Sequence, residues 1–67
     1  MNNLYRFLYK NVKIKMIDGK LHIGYVDMYC GADENDNGIE SIGILPNKKA
    51  KSGIEISANE IEMIEIV

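Results

Sequence analysis

A run of alternating apolar residues, broken by an Asp-Gly pair, constrains the fold of this chain more than any other feature. The alternating residues are Val12, Ile14 and Met16 before the pair Asp18-Gly19, and Leu21 and Ile23 after it. Apolar residues at every second position are typical of a half-buried strand. Because glycine readily adopts the positive φ angle that tight hairpin turns need, the pair predicts that two antiparallel strands meet here.

Gly24 interrupts the second of these strands. The large apolar residues before it lie at odd positions, whereas Val26 and Met28 after it lie at even positions. A glycine within a strand permits a bulge or a sharp bend, and either would turn both apolar sets toward one core. A bent second strand predicts a small barrel, in which the sheet curls back on itself.

The N-terminal segment predicts a short helix over about residues 2–10. Three apolar residues, Leu4, Phe7 and Leu8, fall at helical spacing and form one stripe. We expect Asn2 or Asn3 to cap this helix and Asn11 to end it in a left-handed conformation.

Ile-rich segments further along the chain predict three more strands and one tight turn. The strands are expected at residues 39–45, 54–57 and 61–67, with a 3₁₀ turn at 57–60. Sixty-seven residues leave room for one domain only. We therefore predict a mainly β protein with a single domain over residues 1–67, in which the helix precedes a five-stranded, strongly bent barrel over about residues 11–67.

Charge and cysteine content limit the classes of partner. The net charge is −2, with the first 30 residues positive and the remainder negative, an asymmetry suited to head-to-tail assembly. Cys30 is the only cysteine, which excludes an intramolecular disulfide and is typical of a reducing compartment. With neither a signal peptide nor a membrane-length apolar run in the sequence, we expect a cytoplasmic protein with no membrane partner.

Residues suited to catalysis or metal binding are sparse. His22 is the only histidine and has no second histidine or evident nucleophile near it in the sequence. The acidic loop 31–38 matches only the first half of a calcium-binding loop, because Ile44 stands where that pattern requires a glutamate. We therefore expect a protein that is not an enzyme and that holds no metal and no cofactor.

The order of these features resembles the Sm-like (LSm) family. The matching residues are Val12, Ile14, Met16, Asp18-Gly19, Gly24 and Val26 in a first motif, and Ile56, Ile61 and Ile64 in a second. Together with the N-terminal segment, the resemblance covers nearly the whole chain. It implies a five-stranded SH3-like barrel, and rings in which the fourth strand of one subunit pairs with the fifth strand of the next. Members of the family commonly bind single-stranded RNA around the central pore.

Two departures from the family bear on RNA binding. The family carries Arg or Lys followed by Gly in the second motif, where this chain has Ser57-Ala58. The family also carries an Asp, a stacking residue and an Asn in the loop after the second strand, and residues 30–38 do not match that pattern in register. Since a serine supplies neither the charge nor the flat surface of an arginine, the usual RNA pocket is expected to be absent.

Other residues remain candidates for contact with nucleic acid. The cations are Lys13 and Lys15 on the outward face of the first strand and Lys48, Lys49 and Lys51 in the loop over residues 46–53, and Tyr29 could stack on a base. Solvated lysines and an aromatic residue at the rim of the core are the ordinary alternative for all of them.

The functional prediction is a non-catalytic Sm-like homo-oligomeric module for binding and assembly. It pairs with itself through residues of about 54–57 and 61–67, and single-stranded RNA is its second candidate partner. The alternative is a monomeric or dimeric SH3-like protein-interaction domain that does not bind nucleic acid.

Overall fold

Five antiparallel strands form one open sheet in the computed structural model, which describes residues 3–67. The strands are β1 (Asn11–Met16), β2 (Leu21–Cys30), β3 (Ser41–Leu45), β4 (Ile54–Ser57) and β5 (Ile61–Ile66). Their order across the sheet is β4-β3-β2-β1-β5, so that β4 and β5 are its two edges. A 3₁₀ turn over Ala58–Glu60 links these two strands. The five predicted strands and the predicted turn are confirmed.

The hairpin around the Asp-Gly pair forms as the alternation predicts. Gly19 has a φ angle of 92°, and its N–H donates to the Met16 carbonyl oxygen at 3.0 Å. The Asp18 carboxylate accepts a hydrogen bond of 3.0 Å from the Lys20 N–H. Gly19 therefore allows the turn through its positive φ angle, and Asp18 stabilises the turn through its side-chain hydrogen bond.

The prediction that Leu21 and Ile23 share the core is wrong. These side chains are 58% and 66% exposed, whereas Gly24 and Val26 of the same strand are buried. The cause is the register, in which Val12 of β1 stands opposite Gly24. Because opposite residues of an antiparallel pair lie on the same face, the even positions of β2 face the core throughout its first half.

The register irregularity of β2 lies between Val26 and Met28, not at Gly24. Gly24 serves instead for a close approach to β3, because a Cβ atom there would collide with the Leu45 carbonyl oxygen and the Ile44 side chain. Tyr25 is the residue at which β2 pairs with both β1 and β3. The central strand thus changes its main partner one residue after the glycine.

The predicted helix over residues 2–10 is wrong. A single 3₁₀ turn spans Leu4–Phe7, and Asn2 lies outside the described residues. Tyr9 adopts a left-handed φ of 63° and its N–H donates to the Val26 carbonyl oxygen at 2.7 Å, so a second helical turn cannot follow. Asn11, the expected left-handed end of the helix, is the first residue of β1.

The core lies on one face of the sheet, and the N-terminal 3₁₀ turn covers part of it. Leu4 and Phe7 of that turn are buried. The buried apolar residues of the strands and of the last turn are Val12, Ile14, Met16, Val26, Ile42, Ile44, Ile56, Ala58, Ile61 and Ile64. The short N-terminal segment is therefore part of the core even though it is not a regular helix.

Candidate functional site

The candidate lysines of β1 lie on its outward face, as their alternation with buried residues requires. Lys13 is half-buried and stands opposite Ile23 of β2. Lys15 forms an ion pair with Glu62 at 3.1 Å between Nζ and Oε2. Because both partners are about half exposed, this pair contributes little stability, and it lowers the positive charge that Lys15 offers to an anion.

Lys48 contacts Tyr25, an aromatic residue that was not among the residues predicted from the sequence. Its Nζ lies 5.4 Å from the ring centroid of Tyr25, a cation–π contact. Tyr25 belongs to the same outward, odd-numbered face of β2 as Ile23. Lys49 and Lys51 lie nearby in the same loop and are exposed.

Tyr29 lies in an acidic environment, apart from the candidate lysines. Its ring packs edge-on against Tyr5, with centroids 5.4 Å apart, and its hydroxyl donates to the Glu40 carboxylate at 3.2 Å. Burial raises the pKa of the Tyr29 hydroxyl, and the Glu40 hydrogen bond and the charges of Glu40, Asp33 and Glu34 raise this pKa further. The partners found for Tyr29 are thus an aromatic ring and carboxylates, and none of them is a candidate lysine.

Glu40 is a buried carboxylate that anchors the N-terminal turn. Its two oxygens accept hydrogen bonds of 2.7 Å from the N–H groups of Asn3 and Leu4. These donors are 37 and 36 positions away in sequence, so nothing in the local pattern around Glu40 predicted this role. The carboxylate satisfies donors that the first turn of a helix leaves unpaired.

A polar cup lies where the loop after β2 meets the end of β4. Its volume is about 240 Å³, and it is lined by Asn35, Asp36, Asn37, Ser41, Glu55 and Ser57. The buried Ser41 hydroxyl donates to Glu55 at 2.8 Å and accepts from the Asn35 amide at 3.1 Å. With two carboxylates and no lysine or arginine in its lining, the cup repels phosphate groups.

The cup brings together the two stretches that depart from the Sm-like pattern, the acidic loop and Ser57. Asn35 also donates to the Ile39 carbonyl oxygen at 2.7 Å, and the Asn37 side chain accepts from the Ile39 N–H at 3.1 Å. The amides of this loop are thus used to hold its own backbone.

The two edges of the described sheet are unpaired. Neither β4 nor β5 has a strand on its outer side within residues 3–67. Large apolar side chains are exposed on or next to both edges: Ile54 on β4, and Met63, Ile66 and Val67 on or after β5. An edge strand with apolar side chains is suited to pairing with a further strand.

An apolar groove opens beside the start of β4. Its volume is about 280 Å³, and it is lined by His22, Ile23, Ile44, Pro46, Gly53 and Ile54. Gly53 packs directly against the backbone of β3 there, because a Cβ atom on Gly53 would collide with the Ile44 carbonyl oxygen. The groove combines residues from three strands and a loop, which is why no single stretch of sequence predicted it.

Other chemistry is limited among the described residues. His22 is half-buried in the wall of the groove, and Cys30 is a half-buried free thiol at the end of β2. No group of three or more His, Cys, Asp or Glu side chains in residues 3–67 is arranged to hold a metal ion.

Over residues 3–67, these observations define a small antiparallel β protein whose sheet has two unlike, unpaired edges. Comparisons with protein-family models, with curated proteins and with solved structures each gave no match. No helix within residues 3–67 has the length and apolar character needed to span a membrane.

Proposed function

We propose that this chain is a non-catalytic Sm-like module, located in the cytoplasm, whose function is to assemble with copies of itself. Strand β4 of one copy pairs with β5 of the next, and the strongly bent sheet of each copy forms a barrel that stays open between these two strands. The observation that carries the proposal is the strand order, which leaves β4 and β5, and no other strands, as edges of the described sheet.

Exposed apolar surface supports the proposal. Ile54 is 48% exposed and Ile66 is 56% exposed, although each is a large apolar residue within an edge strand. Natural proteins usually protect edge strands with charges, prolines or bulges. A small domain also buries a limited core of its own, so burial between copies adds stability that a single copy lacks.

The native mass in solution tests this proposal. We expect light scattering on a gel-filtration column to give the mass of a closed assembly, at about five to eight copies for a ring of the Sm-like type. A monomeric mass across a hundredfold range of protein concentration, about 1 to 100 µM, would contradict self-assembly. That result would favour a lone SH3-like domain that binds another protein at an exposed edge.

Binding of single-stranded RNA is the second candidate function, and the contact between Lys48 and Tyr25 favours it. This contact places a cation and an aromatic ring on the outward face that also carries Lys13. Stacking on an aromatic ring and a nearby positive charge are the two elements of non-specific single-strand binding. Tyr29 is less suited, because the carboxylate of Glu40 holds its hydroxyl.

Titration of fluorescent oligo(U) and oligo(A) tests this second function. We expect weak binding that falls steeply with salt, because phosphate contacts release counterions. Tyr25→Ala and Lys48→Gln should each weaken it, whereas Tyr9→Ala, at an exposed tyrosine in the turn before β1, should not. Equal binding by all these variants would exclude the outward face as the RNA site.

A further inference from the structure

The core-facing side of the sheet ends in an exposed isoleucine at each edge. Ile54 of β4 stands opposite buried Ile44, and Ile66 of β5 stands opposite buried Val12. Since opposite residues share a face, both isoleucines belong to the core-facing side. They remain exposed because no strand of the described residues lies beyond them, so each edge has an apolar residue without a neighbour on its outer side.

The groove described above continues this exposed surface at the β4 edge. Ile54 is one of its walls, and Ile23 and Pro46 extend its apolar lining. The groove opens beside the first residue of β4 rather than beside its last residue, Ser57. Whichever end of an added strand reaches this position would bury its apolar side chains there.

The direction of an added strand decides which residues reach the groove. Every neighbouring pair in this sheet is antiparallel, and antiparallel pairing is slightly the more stable arrangement. A β5 strand of another copy that pairs antiparallel with β4 would place its last residues beside the first residue of β4. Ile66 and Val67 of that copy would then lie next to Ile54.

We propose that the groove binds Ile66 and Val67 from β5 of a second copy of this chain, with Ile66 opposite Ile54. This assignment rests on the proposed self-assembly and specifies the side chains that determine it. It makes the contact head-to-tail, because the groove lies at one edge of the sheet and the segment that fills it lies at the other.

The lysines beside the groove favour a second copy as its occupant. The loop beside the groove carries Lys48, Lys49 and Lys51, and the strand that would arrive carries Glu65 next to Ile66. The only salt bridge within residues 3–67 joins Lys15 to Glu62, so neither Lys51 nor Glu65 has an intrachain ion-pair partner there. Lys51 borders the same cavity as Glu55 and can separate that carboxylate from Glu65, which would stand opposite it.

Two single variants and their mixture test the assignment. Ile54→Arg blocks the groove and leaves β5 intact, whereas Ile66→Arg blocks β5 and leaves the groove intact. We expect each variant alone to be monomeric at concentrations where the wild type assembles, with affinity lowered about a hundredfold. Mixed in equal amounts, they should form a heterodimer, because one intact groove and one intact β5 remain available to each other.

A third variant and the wild type complete the design. Ile17→Arg changes an equally apolar, exposed residue that does not line the groove, so it should assemble as the wild type does. Thermal unfolding of each variant would establish that it folds, which is expected because all three positions are exposed. Sedimentation velocity would give the masses of the single proteins and of the mixture.

The outcomes separate the two proposals. A wild type that stays monomeric would overturn self-assembly and the groove assignment together. A wild type that assembles while Ile54→Arg and Ile66→Arg assemble equally well would overturn only the groove assignment. Folded monomeric variants that do not combine when mixed would also overturn it, because a head-to-tail contact requires that combination.

Discussion

At the scale of single residues, Glu40 shows how one side chain can hold an N-terminal segment that does not form a regular helix. The N-terminal segment has the apolar spacing of a helix, yet it forms one 3₁₀ turn whose first N–H groups are bound by the Glu40 carboxylate. Leu4 and Phe7 reach the core in either conformation, so burial alone does not select the helix. The hydrogen bond from the Tyr9 N–H to the Val26 carbonyl oxygen ends the turn, and the Glu40 carboxylate, more than 30 positions away in sequence, holds its start.

Replacing Glu40 by glutamine should destabilise the fold. The glutamine side chain keeps one acceptor oxygen but lacks the negative charge. A hydrogen bond to a charged group contributes about 1.5–3 kcal/mol. We expect Glu40→Gln to lower the free energy of unfolding by about 2 kcal/mol in urea titrations at one fixed protein concentration. Asp36→Asn, an exposed acid in the same loop, should leave the urea midpoint unchanged. Equal midpoints for both variants would contradict the anchoring role.

Tyr29 makes stability depend on pH in the alkaline range. Burial, followed by the Glu40 hydrogen bond and nearby carboxylates, raises the pKa of Tyr29 above that of an unfolded tyrosine, which is about 10. The protonated hydroxyl is thus favoured in the folded state. Its contribution is fully present below the unfolded pKa and is lost as the pH rises toward the folded pKa.

Tyr29→Phe should therefore flatten the loss of stability above about pH 10. The measurement is the urea midpoint at a series of pH values, compared with the wild type and with Tyr9→Phe, whose ring is exposed. If all three proteins lost stability in parallel, the titration of Tyr29 would not be linked to folding.

At the scale of secondary structure elements, local patterns predicted where the strands lie but not which way β2 faces. Alternation and turn residues mark strand ends because both are properties of neighbouring residues. Whether the even or the odd positions of β2 face the core depends on its register with β1, where Val12 stands opposite Gly24. The apolar groove depends on residues that come from separate elements, and no local pattern carries that information.

A substitution at Gly24 tests the close approach of β2 to β3. Gly24→Ala introduces a methyl group against the Leu45 backbone, which cannot move without disturbing the pairing of β2 with β3. We expect a loss of about 1–3 kcal/mol in the free energy of unfolding, the usual cost of overpacking. Gly31→Ala is the matched control, since Gly31 has a φ of −70° and the nearest atom to an added Cβ is in the flexible Asp33 side chain. A similar midpoint for both alanine variants would argue against the close approach.

At the scale of the whole molecule, self-assembly links stability to concentration. If copies bind one another only when folded, mass action raises the unfolding temperature with protein concentration. Each tenfold increase should raise it by about 6–11 °C for a chain of this size, because a tenfold concentration change corresponds to about 1.4 kcal/mol and each kcal/mol shifts the unfolding temperature by about 4–8 °C. Circular dichroism over three decades of concentration would measure this, and Ile54→Arg should show no dependence. A constant unfolding temperature for the wild type would contradict assembly of folded copies.

The unlike character of the two edges has a consequence for mixed populations. If copies assemble as proposed, a chain with one blocked edge still binds through the other, so it joins an assembly and then prevents the next addition. It acts as a chain terminator in the sense of polymer chemistry, and a small fraction of it shortens every assembly that it joins. A small amount of an Ile54 or Ile66 variant mixed with the wild type would then lower the mean mass of all the assemblies in solution.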